Sequence, residues 1–271
     1  MRGLRIGVIC ALSWVCQAPA QAAWLQSKGA SLIISSLSSY RADKRFDAVG
    51  LRTDAGDYRK QELSIYGVYG VSDGLTLGAQ PAFFRLSNKT GPGATKTHMK
   101  GLSFVELFAR AGLFKGDYWI LSTQALVKIP GSGAFDREPV RESASRDLEG
   151  RLLFGRSGRL PPQLLNLEYF SSFEVGYRLR DRNAADQWRT DATFGVDASR
   201  NYQILLQSFN SISQDRRAGE SSSDYDIYKA QISIVRKLPW RTAVQFGGLI
   251  ELSGRNTNAG QALSMALWSR F

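Results

Sequence analysis

The feature that most constrains this chain is a two-residue period in its apolar side chains that recurs from one end to the other. From Trp119 to Ile129 one parity reads Trp119, Leu121, Thr123, Ala125, Val127, Ile129, opposite Ser122, Gln124 and Lys128. From Leu63 to Val71 it reads Leu63, Ile65, Gly67, Tyr69, Val71. Successive side chains of a strand point to opposite faces, so each run predicts a strand with one apolar face. Further strands are predicted at 29–40, 75–86, 101–113, 146–156, 167–179, 188–198, 202–212, 225–236, 242–253 and 262–271. That makes about twelve, each near the roughly ten residues that a tilted strand needs to cross a hydrocarbon layer.

The connections alternate in length. Short turns at Ser72-Asp73-Gly74, Phe114 to Asp117, Ser199-Arg200-Asn201 and Lys237 to Arg241 alternate with polar stretches at 41–61, 87–99, 130–145, 213–224 and 254–261. Short turns on one side and long loops on the other are the two rims of a membrane barrel, and an even strand count puts both termini on the periplasmic side. Two connections fit less well: 157–166, with Pro161-Pro162, is long for a turn, and 180–187 is short for an outer loop.

Beyond the amino-terminal stretch no apolar run is long enough for a spanning helix, which excludes a helical membrane protein. A closed antiparallel sheet satisfies every backbone group without such a run, and the negative mean hydropathy follows if half of each strand faces a polar lumen.

The amino terminus predicts export. Arg2 and Arg5 precede an apolar run from Ile6 to Cys16 and then Ala20-Gln21-Ala22, a secretory signal peptide over 1–22 with cleavage after Ala22. Trp14 and Val15 make a poor lipoprotein site at Cys16. Both cysteines, Cys10 and Cys16, lie in the removed segment, so no disulfide is available to the single domain expected over 23–271. Removing Arg2 and Arg5 lowers the formal charge from +11 to +9. For an exported chain that excess points to anionic lipid and lipopolysaccharide phosphates, not to nucleic acid.

Aromatic residues sort by strand end. Tyr69, Trp119, Tyr202, Trp240 and Phe271 fall near predicted periplasmic ends of the outward parity, and Tyr40, Phe83, Tyr177, Trp188 and Tyr228 near extracellular ends. Two girdles suit a membrane barrel, with Trp268 the inward exception.

The tail from Ala262 places Leu263, Met265, Leu267 and Phe271 on one face and resembles the last strand of bacterial outer-membrane β-barrels, which the barrel-assembly machinery reads as a signal; Ser269 departs from that pattern. Tyr66 to Gly78, Y-G-V-Y-G-V-S-D-G-L-T-L-G, resembles strand-turn-strand units of the outer-membrane barrels grouped as meta-pathway phenol-degradation proteins, and much of 173–212 and 261–271 is similar to that group. The resemblance implies a channel or uptake role for small solutes, aromatic ones among them, and carries over no binding residues.

The expected fold is all-β: one antiparallel transmembrane β-barrel of about twelve strands. Its inward parity carries Lys100, Glu106, Arg110, Lys128, Glu149, Arg151, Glu168, Glu174, Arg178, Arg189, Asp191, Asp197, Lys229 and Glu251. Such a lining either selects solutes or forms cross-strand ion pairs that stiffen a narrow barrel, and the second is the expected main role. The signs nearly balance, so the basic excess falls in turns and loops, including Arg41, Lys44, Arg45, Arg52, Arg216 and Arg217 outside and Arg236, Lys237 and Arg241 inside.

No catalytic residue, metal or cofactor is expected. His98 is the only histidine, and its neighbours Thr97 and Ser103 form no hydrolase motif. Gly91-Pro92-Gly93 and Gly131-Ser132-Gly133 lack the Lys-Ser/Thr continuation of a phosphate loop and read as bends. The reading is passive passage or uptake of small solutes, aromatic or anionic among them. The alternatives are a non-conducting structural or surface-interaction barrel and, more weakly, a rim hydrolase using His98.

Overall fold

The computed structural model describes residues 23–89, 95–131, 146–164, 166–181, 184–214 and 224–271. They form twelve strands: β1 (Ser31–Phe46), β2 (Arg52–Ser72), β3 (Leu75–Lys89), β4 (Thr97–Lys115), β5 (Trp119–Pro130), β6 (Asp147–Arg159), β7 (Glu168–Arg180), β8 (Gln187–Asp197), β9 (Tyr202–Ser213), β10 (Asp226–Leu238), β11 (Thr242–Arg255) and β12 (Thr257–Arg270). Each strand pairs antiparallel with its sequence neighbours, and β1 pairs with β12 to close the barrel. Closure leaves no open sheet edge, the condition for a sheet in lipid. The seam runs to the end of the chain: Phe271 N–H donates to the Ser31 carbonyl at 2.9 Å and Ser31 N–H to the Phe271 carbonyl at 3.1 Å.

The apolar parity faces out. Leu37, Leu63, Leu107, Val127, Leu152, Phe173, Leu206, Ile232, Phe246 and Met265 are all exposed around the belt. A water-soluble protein does not present so continuous an apolar surface. At the rim holding both termini, Tyr69, Trp119, Tyr202, Trp240 and Phe271 are exposed; toward the far rim, Phe83, Trp188 and Tyr228 are exposed, with Tyr177 edge-on to Trp188 at 5.0 Å.

Three expectations need correction. The stretches 41–61 and 254–261 are not loops: β1 and β2 continue as a hairpin to Phe46 and Arg52, and β11 and β12 meet at Asn256, whose φ of 55° makes the tight turn. Tyr40 faces inward, because its row in β1 alternates with exposed Leu37 and Ser39. Lys100 lies on the outward row opposite Arg85, because the register shifts between Phe104 and Leu102 and reverses the parity below Ser103. The predicted signal peptide, Gly91-Pro92-Gly93, most of Gly131-Ser132-Gly133, and Arg216 and Arg217 lie outside the described residues.

Candidate functional site: the barrel lumen

The inward side chains divide the lumen into two levels. Toward the far rim one wall is charged, because alternate positions of β4 to β8 carry acids and bases. Arg151 on β6 binds Glu149, reaches Glu174 on β7 at 2.9 Å, and crosses to Asp191 on β8 at 2.6 Å. Gly176 stands between these strands, and a Cβ there would meet the Arg151 side chain at 2.6 Å, so the crossing depends on the glycine. Arg178 on β7 binds the other Glu149 oxygen, Asp147 at 3.3 Å and Glu106 at 3.1 Å. Lys128 on β5 binds Asp147 at 3.0 Å. Glu149 is fully buried between two guanidinium groups, an arrangement in which charge-assisted hydrogen bonds must offset desolvation.

The facing wall carries fewer charges, chiefly the pairs Lys60–Glu62 at 2.6 Å and Lys229–Glu251. Tyr58 and Met99 pack on buried Phe84 and Leu86, and Tyr40 meets Tyr58 edge-on at 5.7 Å. Tyr40 donates its phenol to Glu251 at 2.6 Å, the Gly260 N–H donates to the same oxygen at 2.8 Å, and Lys229 stands 3.9 Å from the other.

Toward the terminal rim the lumen is apolar and filled. Leu32, Val68, Phe108, Leu126, Phe170, Leu205, Val235, Ala266 and Trp268 converge from strands around the barrel and pack with Trp24. The segment 23–29 before β1 enters this space. Ser122 donates to the Ala23 carbonyl at 2.7 Å, Arg110 to the Trp24 carbonyl at 3.4 Å, and the Gln26 N–H donates to Thr76 at 2.9 Å. The ring of Trp24 occupies the space that a side chain at Gly155 would take, and the Gln26 and Ser27 carbonyls press against Gly70. Short side chains in the wall thus make room for this inserted segment.

The expected lining is therefore placed as follows. Glu106, Lys128, Glu149, Arg151, Glu174, Arg178 and Asp191 form one network; Arg189 lies beside it on β8; Lys229 and Glu251 pair on the opposite side; Arg110 binds the inserted segment and Gln124 at 2.8 Å. Glu168 sits at the terminal rim with Arg159 at 3.1 Å, and Asp197 with Lys237 at 2.9 Å. His98 is exposed on the outward row opposite Ser87, and no hydrogen bond holds its ring among the described residues. Among those residues, no group of His, Cys, Asp or Glu could hold a metal ion.

No family model and no curated protein matches the chain. The fold has solved counterparts. An outer-membrane channel from Pseudomonas putida F1 superposes with a TM-score of 0.69 at 12% identity, covering 92% of this chain and 98% of that one. The β domain of the Bordetella autotransporter BrkA gives 0.52 at 15% identity over 89% and 100%, and the transport unit of the autotransporter AIDA-I from Escherichia coli gives 0.51 at 8% over 90% of each. One architecture thus serves a channel and autotransporter units, so function must be argued from the interior.

What sequence reasoning missed is the inserted segment. Its signal was present: Trp24 and Leu25 are large apolar residues directly after the predicted cleavage site and before the first strand, with no place on a lipid-facing row.

Proposed function

We propose that the protein is an outer-membrane barrel, exported by its signal peptide, that admits small solutes through a lumen narrowed by residues 23–29. The observation that carries this reading is the contrast within the interior: a charged, polar wall opens toward the far rim, while the constriction is a separate segment held by a few hydrogen bonds. Such a segment can shift without breaking the barrel, whose strands are all paired with one another. The likeness to an outer-membrane channel supports the reading at the level of fold. In this orientation the exposed Arg41, Lys44, Arg45 and Arg52 lie at the extracellular rim, where they meet lipopolysaccharide phosphates, and Phe271 is offered to the barrel-assembly machinery. No catalytic role is assigned, since exposed His98 has no orienting partner among the described residues.

Planar-bilayer recording of the purified mature protein tests this: small, reproducible unitary currents are expected, and no current from correctly folded protein overturns it. A non-conducting barrel is the second reading, favoured by the apolar packing around Trp24.

A further inference from the structure

The outer face of the barrel is basic on one flank. On β1 to β4 the apolar row Leu37, Leu63, Phe83 and Leu102 is followed, toward the far rim, by two polar rows. The first carries Ser39, Gln61, Arg85 and Lys100, and the second Arg41, Arg59, Ser87 and His98, each residue opposite the next across the sheet. Arg41 thus stands directly opposite Arg59, and Arg85 directly opposite Lys100, with all four exposed on the outer surface. Lys100 reaches this face through the register shift at Ser103; without it, the parity of outward Val105 and Leu107 would turn Lys100 into the lumen. The far-rim ends of β5 to β8 present Ile129, Leu148, Leu179 and Trp188 outward, so the charge is confined to one side.

Like charges directly opposite one another on a sheet repel, and two such pairs side by side call for an anion between them. One acid lies among them: Asp57 binds Arg59 at 2.9 Å, stands 3.9 Å from Lys96, faces Lys89 across the sheet and is also acted on by Arg41. A single carboxylate shared by these cations leaves the face strongly positive. Arg85 and Lys100 form no ion pair among the described residues. We infer that this flank binds a lipid of the outer leaflet whose headgroup carries two phosphates. The two like-charged pairs lie two strand spacings apart, about 10 Å, and each takes one phosphate, with the arginines offering paired N–H groups. The acyl chains lie along Leu37, Leu63 and Phe83 beneath, an apolar row that a soluble acidic partner would leave uncovered. The inference rests on the outer-membrane orientation proposed above and goes beyond the rim contacts, since it assigns a built site on the barrel wall.

Native mass spectrometry of the folded, detergent-solubilised mature protein tests it, with bisphosphorylated lipid A as the probe. One bound lipid A is expected, with the monophosphorylated form weaker, the dephosphorylated form weaker still, and no displacement by excess inorganic phosphate. Arg41→Gln with Arg59→Gln, and Arg85→Gln with Lys100→Gln, should each weaken binding about tenfold or more. Either double variant should also lose the preference for two phosphates over one. Lys115→Gln with Arg200→Gln, at the terminal rim, should change nothing. Heat-dependent gel mobility reports folding independently, and relief of repulsion predicts that both double variants fold in lipid-A-free vesicles at least as well as the parent. Equal binding of phosphorylated and dephosphorylated lipid, equal affinity in the parent and both double variants, or displacement by inorganic phosphate overturns the site. A lipid-free dimer that the variants abolish also overturns it, because the face would then join two copies of the chain. Lipid A binding to a protein that carries no current upholds the site and sinks only the passage reading; current without lipid A binding does the reverse.

Discussion

Arg110, on the inner face of β4, donates to the backbone carbonyl of Trp24 at 3.4 Å and so ties the inserted segment to the wall. The same guanidinium is fixed by two hydrogen bonds to Gln124, at 3.2 Å and 2.8 Å. The segment's other hydrogen bonds to the wall run through Ser122, Thr76, Asp73 and Gly70, and Trp24 and Leu25 pack on the apolar lining. Deleting residues 24–28 should therefore leave the barrel folded while raising its unitary conductance. Unchanged conductance from the folded deletion variant would mean that the constriction lies in the wall itself.

Glu149 bridges Arg151 and Arg178, so removing its charge takes one carboxylate from each of two buried guanidinium groups, leaving Arg151 with Glu174 and Asp191 and Arg178 with Asp147 and Glu106. Glu149→Leu is expected to destabilise the barrel by about 3–5 kcal/mol, the range for breaking a buried ion pair. Urea titration in lipid vesicles measures it. A change near that of an exposed pair such as Arg159–Glu168, which should be below about 1 kcal/mol, would show that lumen water screens the network.

Leu37 and Ser38 are adjacent on β1 but face opposite ways, Leu37 exposed on the outer belt and Ser38 inward opposite Glu62. Leu37→Arg should cost roughly 2–4 kcal/mol if the position lies at mid-bilayer, whereas Ser38→Arg enters a polar wall beside the Lys60–Glu62 pair and should cost less. Folded fraction in vesicles gives the comparison, and the reverse order would refute the orientation of β1. Gln124 is a poor choice for the inward arm, since an arginine there would confront Arg110 and remove its acceptor.

Strand rhythm was legible wherever one face meets lipid and the other a polar lumen. On β5 that contrast holds at most positions, with Trp119, Ala125 and Val127 facing out and Ser122, Gln124 and Lys128 buried, although inward Ile120 and Leu126 are apolar. It failed where the lumen is apolar: on β1, inward Leu32 and Ile34 alternate with outward Ile33, so parity carries no signal and Tyr40 was assigned to the wrong face. It failed also where a register shift intervenes, as at Lys100, and beyond the apolar belt, where the β1–β2 and β11–β12 hairpins are polar on both faces. The charged lining was readable residue by residue, but its pairing was not. Arg151 joins three acids on three strands, a relation set by barrel register and by the gap at Gly176.

Phe271 closes the seam by exchanging backbone hydrogen bonds with Ser31 while its ring remains exposed. Deleting it removes both the bonds and the aromatic end, whereas Phe271→Tyr keeps both. Assembled protein in pulse-labelled cells should fall much further for the deletion. Equal assembly of the two variants would show that the terminal residue carries no assembly information.

The lumen charges nearly cancel: Glu106, Asp147, Glu149, Glu174 and Asp191 stand among Lys128, Arg151, Arg178, Arg110 and Arg189, and Lys229 pairs with Glu251. The rims do not cancel: Arg41, Lys44 and Arg45 are exposed at one, and Lys115, Arg200 and Arg241 at the other. Cations at both mouths raise the local anion concentration. An open pore should therefore prefer anions modestly at low salt. Screening limits the reach of the rim charges to about 10 Å at 0.1 M salt, so the preference should fade as ionic strength rises. Reversal potentials under a salt gradient measure the preference. A cation-selective pore would overturn the electrostatic argument, because no arrangement of paired lumen acids between two basic mouths favours cations.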